Sequence, residues 1–156
     1  MPGLRLSDCA IFASLRSGVP SMQNCSVLHV EDDDATAYLF RAALDSAGLA
    51  VSVYRVCDGE QALAFLRKDG IYANARTPEL VVLDANLPRV DGWTVLRELQ
   101  NDSSLSQVPV VMFTTSSHSE DEERALKLGA RRFITKPSSF DTLVNGIRSL
   151  CAEYLS

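Results

Sequence analysis

Five times between Ser26 and Leu155 a short apolar run gives way to a stretch whose apolar residues recur at three- and four-residue steps. That alternation is the pattern of β-α-β units, and right-handed crossovers leave few ways to assemble it other than a parallel sheet with helices on both faces. The expected strands are Val27–Glu31, Val51–Val56, Leu80–Asp84, Val108–Thr114 and Arg132–Thr135. The third is apolar without a break, as a central strand buried on both faces must be. The first helix is expected from Asp34 to Ala47, with Leu39, Phe40, Ala43, Leu44 and Ala47 on its inner face and Gly48 as its stop. Asp58 and Gly59 turn the chain into the second helix, whose buried side is Ala62, Leu63, Phe65 and Leu66. The third follows Asp91 and Gly92, with Trp93, Val95, Leu96 and Leu99 inward, and the fourth starts near Ser119 with acids that suit a helix N-terminus. Ser138 or Ser139 caps the fifth, along which Phe140, Leu143, Val144, Ile147, Leu150, Cys151 and Tyr154 form one stripe. With Leu155, the end of that stripe runs past what the sheet needs and suggests a dimer face. Residues 71–79 are long for a helix-to-strand loop, usually about 2–6 residues.

A chain of 156 residues is one domain's length, and its net charge of -5 leaves no clustered Lys and Arg for a nucleic-acid surface. No run nears the roughly 18 apolar residues that cross a bilayer. Cys9, Cys25, Cys57 and Cys151 have neither zinc-site nor paired spacing, so reduced thiols and a cytoplasmic location are expected. Residues 1–24 carry an apolar run from Cys9 to Leu15 before Ser17, Gly18 and Pro20, but the basic n-region is too poor for a signal peptide, and a disordered extension, or a start site assigned upstream of Met22, is expected instead. The folded domain is expected over residues 25–156.

The strands end in polar residues: the first in Glu31, Asp32 and Asp33, the third in Asp84, the fourth in Thr114 and the fifth in Lys136. In a doubly wound sheet of order 2-1-3-4-5 the ligand crevice opens at the strand C-termini, between the first and third strands. Glu31, Asp32 and Asp84 would share that crevice, and like charges so close call for a counter-charge. A hard divalent cation such as Mg²⁺ supplies it with oxygen ligands. Lys136 and Thr114 would then bind the oxygens of a phosphoryl group carried by one carboxylate. Each residue has a plainer reading alone, Asp84 as a cap, Thr114 as a strand-end hydroxyl, Lys136 as a solvated cation. Their coincidence favours a site. His29 reads as a packed core histidine.

The ordered set Val30-Glu31-Asp32-Asp33, Leu83-Asp84-Ala85-Asn86-Leu87-Pro88, Asp91-Gly92, Phe113-Thr114-Thr115, Gly129-Ala130 and Thr135-Lys136-Pro137 resembles the receiver domain of two-component response regulators, a flavodoxin-like fold. The resemblance implies that Asp84 accepts a phosphoryl group from a sensor histidine kinase. It implies Mg²⁺ held by Glu31, Asp32, Asp84 and the backbone carbonyl of Asn86. Thr114 and Lys136 would contact the phosphoryl oxygens, Phe133 would be the aromatic switch coupled to Thr114, and Asn86 and Ser116 would tune hydrolysis. It also implies a cis Lys136–Pro137 bond and a homodimer through helix four, strand five and helix five. The Glu-Asp pair, the long 71–79 segment and Thr114-Thr115-Ser116 are most similar to the single-domain regulators paired with cyanobacterial and bacterial phytochrome kinases. Thr115 replaces the usual small residue, which would slow phosphoryl exchange.

The resemblance implies a phosphoacceptor that would catalyse only its own phosphorylation and dephosphorylation and pass its signal to a separate protein, a phosphotransfer protein or the kinase. The alternative is a degenerate receiver working as a phosphorylation-independent interaction module. A Mg²⁺-dependent phosphohydrolase is disfavoured, since nothing in the sequence builds a substrate cap.

Overall fold

The computed structural model describes residues 25–155; the N-terminal extension expected over residues 1–24 lies outside them. Five parallel strands, β1 (Ser26–Val30), β2 (Ser52–Val56), β3 (Leu80–Leu83), β4 (Val110–Thr114) and β5 (Arg132–Thr135), stand in the order β2-β1-β3-β4-β5. The helices are α1 (Asp34–Ser46), α2 (Gly59–Arg67), α3 (Gly92–Asn101), α4 (Ser119–Lys127) and α5 (Phe140–Tyr154). This is the expected doubly wound α/β fold. Strand alternation divides the core: Leu28, Val30, Val81, Leu83, Val110 and Met112 face α2, α3 and α4, while Val27, Val82, Val111 and Phe113 face α1 and α5.

Four helices begin on side-chain caps. Asp33, Asp58, Asp91 and Ser139 accept from the backbone N–H groups of Thr36, Gln61, Thr94 and Thr142. Next to the Asp58 cap, the Gln61 side chain accepts from the N–H of Cys57, the residue before the cap, at 2.9 Å. The long segment after α2 opens with a 3₁₀ turn, Gly70–Tyr72, that buries Tyr72 against Phe65.

Several expectations need correction. Leu39, expected on the inner face of α1, is exposed, and Ala37 takes that role. The fourth strand pairs only from Val110, the Pro109 carbonyl accepting from the Val81 N–H at its start. The Lys136–Pro137 bond is trans. Cys151 and Leu155 are buried within the chain, 3% and 1% exposed, so neither is available to a dimer face. Cys25, just ahead of β1, donates its thiol to the Leu155 carbonyl at 3.2 Å and thereby covers the end of α5. Burial pushes the Cys151 thiol up to about 12, and among the described residues Cys25, Cys57 and Cys151 form no disulfide.

Candidate functional site

The strand ends converge as the sheet order requires. Glu31 follows β1, Asp84 follows β3, and both are buried where the chain leaves the sheet. Lys136, after β5, reaches across β4 and sets its ammonium 2.8 Å from Glu31 Oε1 and 2.8 Å from Asp84 Oδ2. It makes that reach from a trans bond to Pro137. The second Asp84 oxygen, Oδ1, accepts from the Asn86 N–H at 3.1 Å, while the Asn86 side chain points to solvent. Asp32 is exposed, yet Glu31, Asp32 and Asp84 each offer a carboxylate oxygen within 4.8 Å of the others.

Burial pushes Glu31 up to about 7, against the opposing pull of the Lys136 ammonium and with a further upward push from Asp84. Burial would lower Lys136, but its hydrogen bonds with Asp84 and Glu31 outweigh that and hold it above the ordinary lysine range. One ammonium thus serves two carboxylates, with the third at the mouth.

Thr114 is fully buried at the end of β4 and its hydroxyl has no hydrogen-bond partner. A buried hydroxyl without a partner is costly, and here it lies on the strand between Asp84 and Lys136. Three convergent carboxylates and an unsatisfied hydroxyl fit a hard divalent cation beside a group rich in oxygen acceptors. Ser116 is turned away, donating its hydroxyl to Asp121 and accepting the Thr135 hydroxyl at its carbonyl. Thr115 is exposed. Phe133 is half-buried on β5 against the core beneath α3 and α4.

Two glycines fix the surroundings of Asp84. A Cβ on Gly92, the first residue of α3, would overlap the Asp84 carbonyl oxygen and crowd Ala85 Cα. A Cβ on Gly59 would overlap the Val90 carbonyl oxygen. The loop from Asp84 to Asp91 is therefore held between the starts of α2 and α3, with Arg89 in left-handed backbone and its guanidinium 3.4 Å from Asp58. Gly92→Ala is expected to destabilise the domain by about 2–3 kcal/mol, since backbone cannot yield as a side chain would. Urea unfolding checks this, and unchanged stability would mean that α3 slides freely against β3.

The sequence reading missed Arg55. It lies on β2, only 8% exposed, and donates from Nε to the Glu31 carbonyl at 3.0 Å. A single charge inside an otherwise apolar strand was the signal for it.

Residues 27–148 match the family described as the response regulator receiver domain. Response regulator Rcp1 of Synechocystis sp. is 35% identical over 130 residues, covering 81% of this chain and 88% of its own. The Mn(2+)-bound form of Rcp1 superposes with a TM-score of 0.77 at 31% identity, covering 85% of this chain and 95% of that one. The phosphorylated cyanobacterial phytochrome response regulator RcpA gives a TM-score of 0.79 at 36% identity, over 85% and 94% of the two chains.

Proposed function

Because the chain belongs to the response regulator receiver domain family, whose members accept a phosphoryl group in two-component signalling, we propose that Asp84 is the acceptor. The observation that carries this reading is the Lys136 ammonium 2.8 Å from both Asp84 and Glu31, at adjoining strand ends. An Asp84 oxygen attacks phosphorus, the bond from phosphorus to the donor histidine nitrogen breaks, and the nitrogen keeps the electron pair. Lys136 moves its hydrogen bonds to the transferred oxygens, and the Thr114 hydroxyl donates to one of them. Glu31, Asp32, Asp84 and the Asn86 carbonyl would hold Mg²⁺. When bound, that cation offsets the charge that carboxylates and phosphoryl oxygens bring together.

Phosphorylation adds roughly two negative charges. Satisfying them draws in Thr114, and the half-buried Phe133 on the neighbouring strand follows. The result is a changed protein-binding surface near α4, β5 and α5, where Leu126 and Phe140 are exposed and a homodimer could form. Asn86 and Ser116 tune hydrolysis from the rim. The partner kinase is of the phytochrome type, on the strength of the likeness to RcpA, and a phosphotransfer protein or that kinase receives the output. The protein is cytoplasmic, turns over no outside substrate, and engages neither nucleic acid nor membrane. Among the described residues no helix is long and apolar enough to cross a membrane.

Acetyl phosphate with Mg²⁺ is expected to add one phosphoryl group by intact mass, and peptide mapping to locate it on Asp84. Chelation of the metal should prevent the addition. Uptake indifferent to the chelator, or mapped to another residue, would overturn the assignment.

A further inference from the structure

We infer that Arg55, which contacts neither the acceptor nor its counter-charge, is a positioning residue for the loop that presents the cation ligands, an inference resting on the metal site proposed above. Its guanidinium spans that loop. Nε donates to the carbonyl of Glu31 at 3.0 Å, and Nη1 stands 2.7 Å from Asp34 Oδ1. The two anchors are the first and last residues of Glu31-Asp32-Asp33-Asp34, so Asp32 is carried between them. The Glu31 N–H is in turn bound to the Val56 carbonyl at 3.0 Å. The Glu31 peptide groups are thus tied on both sides to successive residues of β2.

A buried cation inside a strand is costly unless its hydrogen bonds are well placed. Arginine is suited to this place because its rigid fork meets two acceptors at once, which a lysine ammonium on a flexible stem does not reproduce. Asp34 is highly exposed, its side chain 91% accessible, and a surface ion pair contributes little by itself. The bond to the Glu31 carbonyl is therefore the stronger anchor.

The loop needs such an anchor because its acids repel. Glu31, Asp32 and Asp84 bring carboxylate oxygens within 4.8 Å of one another, and without a cation the exposed Asp32 gains by swinging away. Arg55 opposes that relaxation mechanically. Its own charge acts the other way, since a guanidinium near the site repels a divalent cation. The two roles therefore predict opposite signs. If Arg55 acted only as a charge, removing it would tighten Mg²⁺ binding; if it positions the loop, removal loosens binding.

Arg55 also lines a cleft of about 380 Å³ between α1 and β2, together with His29, Tyr38 and Arg41. A shorter polar side chain there leaves the Glu31 carbonyl open to water rather than orphaned, so Arg55→Gln should fold.

The test is Mg²⁺ titration by calorimetry, with Trp93 fluorescence as a second signal and no phosphodonor present. Arg55→Gln and Arg55→Lys are both expected to bind about tenfold more weakly, the lower end of what supporting partners of metal ligands contribute. In acetyl phosphate uptake, the Mg²⁺ concentration at half-maximal rate should rise by the same factor while the rate at saturating Mg²⁺ holds. Asp34→Asn, at an exposed position that cannot unfold the domain, should weaken binding by a smaller factor even in about 0.5 M salt, where direct charge effects are screened. Unchanged or tighter binding in folded Arg55→Gln, or no effect of Asp34→Asn in high salt if the Arg55 variants fail to fold, would overturn the inference. Failure of the parent protein to bind Mg²⁺ would instead overturn the metal-site reading on which it rests.

Discussion

Asp84→Asn is expected to take up no phosphoryl group from acetyl phosphate under conditions that fully label the parent, and to stay folded while failing to do so. The amide has the shape of the carboxylate, and its oxygen can still accept from the Asn86 N–H that now bonds Oδ1 at 3.1 Å. It lacks an anionic oxygen to attack phosphorus. What decides stability is the fate of Lys136, whose side chain is only 15% exposed. Removing one partner of a buried ion pair usually costs about 3–5 kcal/mol, because the remaining charge is left uncompensated. Here Glu31 remains 2.8 Å from the same ammonium, and the repulsion between Asp84 and Glu31 disappears with the charge. The net change should therefore be about 1 kcal/mol or less, near the value of one ordinary hydrogen bond. Intact mass with thermal unfolding measures both halves. A labelled variant would move the acceptor elsewhere, whereas an unfolded one would mean that Lys136 depends on Asp84 for its charge balance.

How much of this site could be read in advance depended on how local each signal was. Asp84, Thr114 and Lys136 stood out because an apolar strand turning abruptly polar is visible within a few residues. The sheet order then followed from connection rules, and it placed those residues side by side. Arg55 was hidden because its reason is tertiary: a charge in a strand makes sense only once Glu31 and Asp34 are seen on the neighbouring loop. The end of α5 was misjudged for the same cause. Whether Leu155 is core or surface depends on where Cys25 enters β1, about 130 residues earlier in sequence. Leu39 and Ala37 both belong to a plausible helical face, and the sheet beneath selects the smaller. The close approaches at Gly59 and Gly92 are likewise backbone meetings between separate segments, and the motif Asp91-Gly92 says only that one of them is needed.

The buried position of Glu31 gives the site a pH response whose sign can be worked out. Its carboxyl is pushed up from 4.5 to about 7, chiefly by burial. Between those limits the folded protein holds a proton that the unfolded chain has released, so Glu31 favours the metal-free fold increasingly as pH falls from 7 toward 4.5. His29 acts oppositely. Burial first, then the charges of Lys136 and Arg55, push it down to about 3, so the unfolded chain binds a proton below 6.5 that the fold refuses. Between pH 6.5 and 4.5 the two largely cancel, and the metal-free domain should show nearly level stability there. A divalent cation held at the proposed site would break the balance, because it would bind the ionised form of Glu31 and have to displace the proton. Apparent Mg²⁺ affinity is therefore expected to fall about tenfold per pH unit below 7, or roughly 100-fold by pH 5. Calorimetric titration from pH 8 to pH 5 measures it, and Glu31→Gln should bind more weakly at pH 8 but with a much flatter profile. An affinity that stays level in the parent would show that Glu31 is already ionised without the metal. In that case Lys136, 2.8 Å away, would have outweighed burial.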